Sequence, residues 1–170
     1  MKLAMLWRPL LLAAILALIP AQALAYPPPP QGRPATVAVP ATQPWTDTGV
    51  DLTGGNPYRV QASGIINVYG GRADSYKTPA GGPNCTAPYG GHWIGAGLSC
   101  WSLIGQIGPS GAPFEIGNGT VFTADRSGRL YLGVNDESTY SFVDNSGGWW
   151  AQIESMFACI FDPKTGGCLP

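Results

Sequence analysis

An all-β fold, a jelly-roll-like β-sandwich of about eight short strands with little helix, follows from three features of this sequence. Gly and Pro number 24 and 17 among 170 residues, and both interrupt helices while populating turns. Only 11% of residues are charged, too few for the wetted faces of a helical bundle or coiled coil. Short β-branched and aromatic runs recur between clusters of Gly, Pro, Asn and Asp, and no long stretch shows a 3.6-residue period. Nine basic against ten acidic side chains leave no cationic excess to neutralise phosphates, which argues against nucleic acid as a partner.

Residues 1–25 read as a signal peptide. Lys2 and Arg8 precede the apolar run Leu10 to Ile19, and Ala23-Leu24-Ala25 supplies the small-x-small pattern before a cut. That run is too short to span a bilayer comfortably and no second long one follows, so no transmembrane segment is expected. The mature chain is therefore expected to be secreted, periplasmic or at the cell surface. It loses two of nine basic residues and none of the ten acidic ones, leaving a formal charge of 7 − 10 = −3.

From Tyr26 to Pro34 the chain holds Pro27 to Pro30 in a row, an extended spacer that builds no core. The folded domain is placed at 35–156. Thr36 to Val39 alternates and stops at Pro40, and Thr48 to Leu52 runs into the turn cluster Thr53 to Pro57. Tyr58 to Val68 is a longer strand in which Gly64 suggests a bulge. Residues 69–99 break the rhythm, and a loop of that length in a compact domain carries function or is disordered. Strands resume at Ser102 to Ile107, Pro113 to Ile116, Thr120 to Ala124, Arg129 to Val134 and Trp149 to Ile153. Trp149 and Trp150 point to opposite faces, so one is expected in the core and the other exposed or at an interface. Trp45 and Trp101 are expected in the core.

An exported chain with four cysteines points to disulfides. Of the three connectivities, the local one is favoured, with Cys85 joined to Cys100 and Cys159 to Cys168; the second pair closes a small loop in the tail 157–170. A cysteine-based metal site lacks any CxxC spacing. Asn84-Cys85-Thr86 and Asn118-Gly119-Thr120 match the glycosylation pattern and are taken as chance matches.

The densest set of oxygen ligands is Asn135 to Gly147, which begins where one strand ends and stops where another begins. Asp136, Asp144 and Asn145 brought together there are ligands of the kind Ca²⁺ takes, although the spacing is not that of an EF-hand. Asp and Asn also populate turns for backbone reasons alone.

Gly105-Gln106-Ile107-Gly108, Pro113-Phe114, Gly128 to Asp136 and Asp144-Asn145-Ser146-Gly147 follow one another as in the calcium-dependent galactophilic lectins of the LecA (PA-IL) type, which the chain resembles from about Ala35 to Ser155. The resemblance implies a galactose-binding-like sandwich with one Ca²⁺ that holds the loops and touches sugar hydroxyls. It implies as ligands the backbone carbonyl of Tyr69, the carboxylate of Asp136, a carbonyl among Thr139, Tyr140 and Ser141 with Tyr140 in the middle, and the side chains of Asp144 and Asn145. The lectins carry Asn where this chain has Asp144. Their sugar-binding His falls on Trp93, with His92 one residue away, and their Gln falls on Ala96. The implied sugar contacts are thus His92, Trp93, Asp136 and Asp144. Trp93 offers a flat apolar face and an indole N–H, both suited to a sugar ring.

Three functions are weighed. The leading one is a non-catalytic, calcium-dependent lectin binding a glycan, of galactose type, in a homo-oligomer that would raise avidity. The second is a structural or protein-interaction sandwich of the cell envelope without sugar binding. The third is a glycoside hydrolase using Asp136 and Asp144, which is disfavoured because carboxylates held ionised by Ca²⁺ make poor general acids. No GxSxG is present and a single His leaves little room for a triad.

Overall fold

A computed structural model describes residues 34–137, 141–156, 160–161 and 168–169. The expected signal peptide and nearly all of the Pro-rich spacer lie outside these residues, as do Tyr140 and Cys159.

The fold is all-β, two antiparallel sheets enclosing one core. The first sheet runs β1 (Ala35–Pro40), β9 (Ser146–Ser155), β3 (Pro57–Asn67), β4 (Tyr76–Lys77), with β7 (Gly119–Thr123) also paired to β3. The second runs β2 (Thr46–Leu52), β8 (Gly128–Val134), β5 (Leu103–Ile107), β6 (Phe114–Glu115). One 3₁₀ turn at Ser141–Val143 precedes β9, and β10 (Ile160–Phe161) pairs with β11 (Cys168–Leu169) in the tail. All eight expected strands are present, with shifted ends. The two-residue strands β4, β10 and β11 are additions, too short to show a period of two. Among the described residues no helix is long and apolar enough to cross a membrane.

Alternation along the central strands builds the core. Trp149, Ala151 and Ile153 of β9 and Leu130, Leu132 and Val134 of β8 turn inward to meet Val39, Val60, Ile66 and Leu103. Trp149 is 1% exposed and Trp150 beside it 59%, as the pleat demands. A core Trp cut to Ala costs about 3–5 kcal/mol. Trp149 also donates its indole N–H to the carbonyl of Lys77 at 3.3 Å, tying β4 to the interior.

Gly64 is not a bulge. Its strand pairs with β9 without a break from Tyr58↔Ser155 to Asn67↔Ser146. Glycine is required there because φ is +113° and a Cβ would lie 2.9 Å from the Gly148 carbonyl oxygen. The irregularity sits instead in β2, between Asp47 and Asp51, where Arg129 of β8 faces both carboxylates at 3.5 and 3.2 Å. Trp45 is half-buried rather than core; it lies with the Pro44 carbonyl over Gly133, on the outer face of the second sheet, and Gly133 has no room for a side chain there.

Candidate functional site

Three chain segments converge at the end of the sandwich where β8 and β3 stop and β9 starts. The register Asn67↔Ser146 sets the loop after β3 beside the turn before β9. Asn67 then shapes that loop: its Oδ1 accepts from the N–H of Tyr69 at 3.1 Å and of Gly71 at 2.8 Å, and its Nδ2 donates to the Arg72 carbonyl. Gly70 N–H donates to the Asp144 carbonyl at 3.0 Å, joining the two loops.

The third segment is the disulfide loop. Cys85 and Cys100 are bonded as expected across 15 residues; Cys159, of the second expected pair, lies outside the described residues. Asn135, fully buried at the end of β8, accepts from Gly95 N–H at 2.8 Å and donates to the carbonyls of Gly95 at 3.0 Å and Ser99 at 2.8 Å. Trp101 N–H donates to the Asn135 carbonyl at 2.7 Å, and Trp93 forms a bridge with Glu137. One buried amide thus holds the loop that carries Trp93 against the strand end that carries Asp136.

Together these segments enclose a cavity of about 340 Å³ lined by Val68, Tyr69, Trp93, Trp101, Asp136, Glu137, Val143 and Asp144. Such a volume suits a small polar ligand. Its aromatic wall is continuous: Trp101 meets Trp93 edge-on at 5.6 Å between ring centroids and Tyr69 at 6.2 Å. Trp101 was expected in the core, and it does pack partly against it, but it also forms the centre of this wall. Its φ of +54° is strained for a bulky residue, and strain of this sort gathers at ligand sites. Nothing in the sequence around Trp101 signals that conformation.

The polar side of the cavity is acidic. Asp136, 3% exposed, accepts from Glu137 N–H on Oδ1 at 2.8 Å and from Asn145 Nδ2 on Oδ2 at 3.0 Å. Burial pushes its carboxyl above the usual carboxylate range; the hydrogen bonds from Asn145, Glu137 and Trp101 pull the other way, and the charge of Asp144 adds to the rise. Asn145, 5% exposed, also donates to the Ala41 carbonyl at 3.2 Å. Its amide is oriented by two acceptors, and its Oδ1 is buried with no hydrogen-bond partner.

Of the residues named from the sequence, the structure gathers Tyr69, Trp93, Asp136 and Asp144 on one cavity, with Asn145 directly behind Asp136. His92 is exposed and is not part of the lining, whereas Trp93, one residue on, is. Tyr140 lies outside the described residues. Glu137 and Val143, and Trp101, expected only in the core, also line the cavity, and Asn135 is the positioning residue beneath it. Among the described residues no three His, Cys, Asp or Glu side chains are placed to hold one metal ion between them, so a cation here would rely on two carboxylates plus amide and carbonyl oxygens. That donor set fits a hard cation such as Ca²⁺, and the partnerless Asn145 Oδ1 and destabilised Asp136 charge are both groups that such a cation would satisfy.

No protein-family description matches the chain, and no curated protein matches it. Among solved structures it is similar to one described as "EclA N-terminal domain; PllA-like lectin", with a TM-score of 0.55 and 22% identity over 71% of this chain and 94% of that one. At that identity the likeness establishes a shared lectin-type β-sandwich fold.

Proposed function

We propose that the protein is an exported, non-catalytic lectin that binds glycans, of galactose type in the first instance, through one Ca²⁺ at the loop end of the sandwich. A solved structure that shares its fold is described as a lectin. The observation that carries the reading is the buried Asp136–Asn145 pair with its orphaned amide oxygen, of which Asp136 lines a cavity walled by Trp93, Trp101 and Tyr69. Asp136, Asp144, Asn145 Oδ1 and the Tyr69 carbonyl are the groups that would hold the ion. When bound, Ca²⁺ supplies a coordination point for adjacent sugar hydroxyls. Asp144, exposed at the rim, is placed to accept from those hydroxyls, and Trp93 to pack on the C–H face of the ring. A monosaccharide has few atoms to contribute, so one site binds modestly and a homo-oligomer gains by multivalency.

A glycoside hydrolase also needs two carboxyl groups, one of them with a raised pKa. Asp136 has that shift, yet it is only 3% exposed and both its oxygens are engaged by Glu137 N–H and Asn145 Nδ2, which ties the carboxyl to the protein rather than to a scissile bond. Thermal unfolding with Ca²⁺ and with chelator tests the proposal. At 100 times the dissociation constant a ligand of the folded state adds about 2.7 kcal/mol of stability. The expected result is a higher midpoint in Ca²⁺, lost in Asp136→Ala, followed by calcium-dependent retention on immobilised galactose. An unchanged midpoint would reduce the likeness to fold alone and favour the structural sandwich of the cell envelope.

A further inference from the structure

Next to the cavity just described lies a second, of about 430 Å³, lined by Tyr69, Arg72, Asp74, Ser75, Lys77 and Trp101. The two share Tyr69 and Trp101 as a common wall. The character of the second is different. Whereas the first gathers Asp136, Glu137 and Asp144, this one brings in the cations Arg72 and Lys77 against a single carboxylate, Asp74.

Lys77 is held in place rather than free to sample solvent. Its Nζ donates to the Asp74 carbonyl at 2.7 Å and stands 5.3 Å from the centre of the Trp101 ring. Its own carbonyl accepts from the buried Trp149 indole, so the backbone beneath it is fixed by the core. Among the described residues no carboxylate pairs with Lys77; Asp74 faces Arg72 instead, at 3.6 Å with both side chains largely exposed. An ammonium with a neutral acceptor on one side and an aromatic face on the other retains its charge for a third partner, and ordering it in advance lowers the entropy lost on binding.

We propose that this second cavity is a subsite for an anionic group, a carboxylate or sulfate, carried by the sugar unit adjoining the one at the Ca²⁺ end, which makes acidic glycans the preferred ligands. Lys77 supplies the fixed charge, Arg72 a movable second one, and the exposed edge of Tyr69 the partition over which the glycan passes. The inference rests on the lectin reading above.

The test uses the mature protein in Ca²⁺ on an array of matched disaccharides, each neutral glycan beside its monosulfated and uronate counterparts, at 0.05 and 0.2 M salt. An exposed ion pair contributes modestly, so a preference of roughly fivefold for the acidic member at low salt is expected, shrinking at high salt. In R72Q/K77Q the preference should vanish while neutral glycans bind as before. The sulfate and uronate arms identify which anion is preferred. Equal binding of neutral and acidic members, or a preference that survives R72Q/K77Q, overturns the subsite and leaves the lectin reading intact. Binding of no member at all, with or without Ca²⁺, overturns both.

Discussion

Asn145 donates to Asp136 Oδ2 at 3.0 Å while its own Oδ1 stays buried without a partner. Flipping the amide would not help. Its nitrogen sits between two acceptors, Asp136 and the Ala41 carbonyl, so the reversed amide would set oxygen against oxygen. An unpaired buried acceptor costs about 1–3 kcal/mol, and here it adjoins a carboxylate already disfavoured by burial. The proposed cation would satisfy both.

Opposite pH slopes with and without Ca²⁺ follow. In chelator the Asp136 carboxyl has a folded pKa above its unfolded value. The fold thus favours the protonated form, and stability falls as pH rises from the ordinary carboxylate range through the raised folded value. In saturating Ca²⁺ only the ionised carboxylate binds, so stability rises across the same window. Midpoints from pH 3.5 to 7 for wild type, subtracted from those of Asp136→Ala, should show the crossing; parallel curves would refute it.

Asn135→Ala should lower unfolding stability by about 2–4 kcal/mol, because it leaves the Gly95 N–H and the carbonyls of Gly95 and Ser99 buried without this partner. Urea unfolding measures the loss. Calcium-dependent sugar retention should weaken as well, since the loop bearing Trp93 loses its tie to β8.

Replacing Cys85 and Cys100 with Ser should remove about 3 kcal/mol, the chain-entropy value for a closed loop of this size. The same loss should appear on reducing the native protein, as a midpoint lowered by several degrees in calorimetry.

Trp93→Ala should weaken sugar binding roughly tenfold, the loss of one aromatic contact of about 1–1.5 kcal/mol. Trp150→Ala, on the outer face of the first sheet, should leave sugar affinity unchanged. Titration calorimetry with methyl galactoside in Ca²⁺ separates the two.

The architecture was legible because its signals are local. Period-two alternation marked β1, short β-branched and aromatic runs marked the other strands, and clusters of Gly, Pro, Asn and Asp marked their ends. Asp136, Asp144 and Asn145 are legible as a dense run of oxygen ligands between two strands, whereas Tyr69 and Trp93 join them only through a resemblance in motif order. Trp101 escaped because its role depends on a left-handed backbone and on neighbours brought in by the disulfide loop, neither of which leaves a pattern in sequence. Gly64 misled for a related reason. A glycine inside a strand signals close approach or a bulge equally, and only the register with β9 decides between them. Arg72 and Lys77 carry no motif in sequence; only the fold sets them beside Trp101.

Trp149 fills the interior with its rings and supports the outer rim with its nitrogen, through the Lys77 carbonyl. The packing of the core and the placement of Lys77 therefore fall on one side chain. A drift to Phe would keep most of the packing and release the strand under Lys77, so the proposed anionic subsite would lose its anchor through a substitution that never touches the solvent.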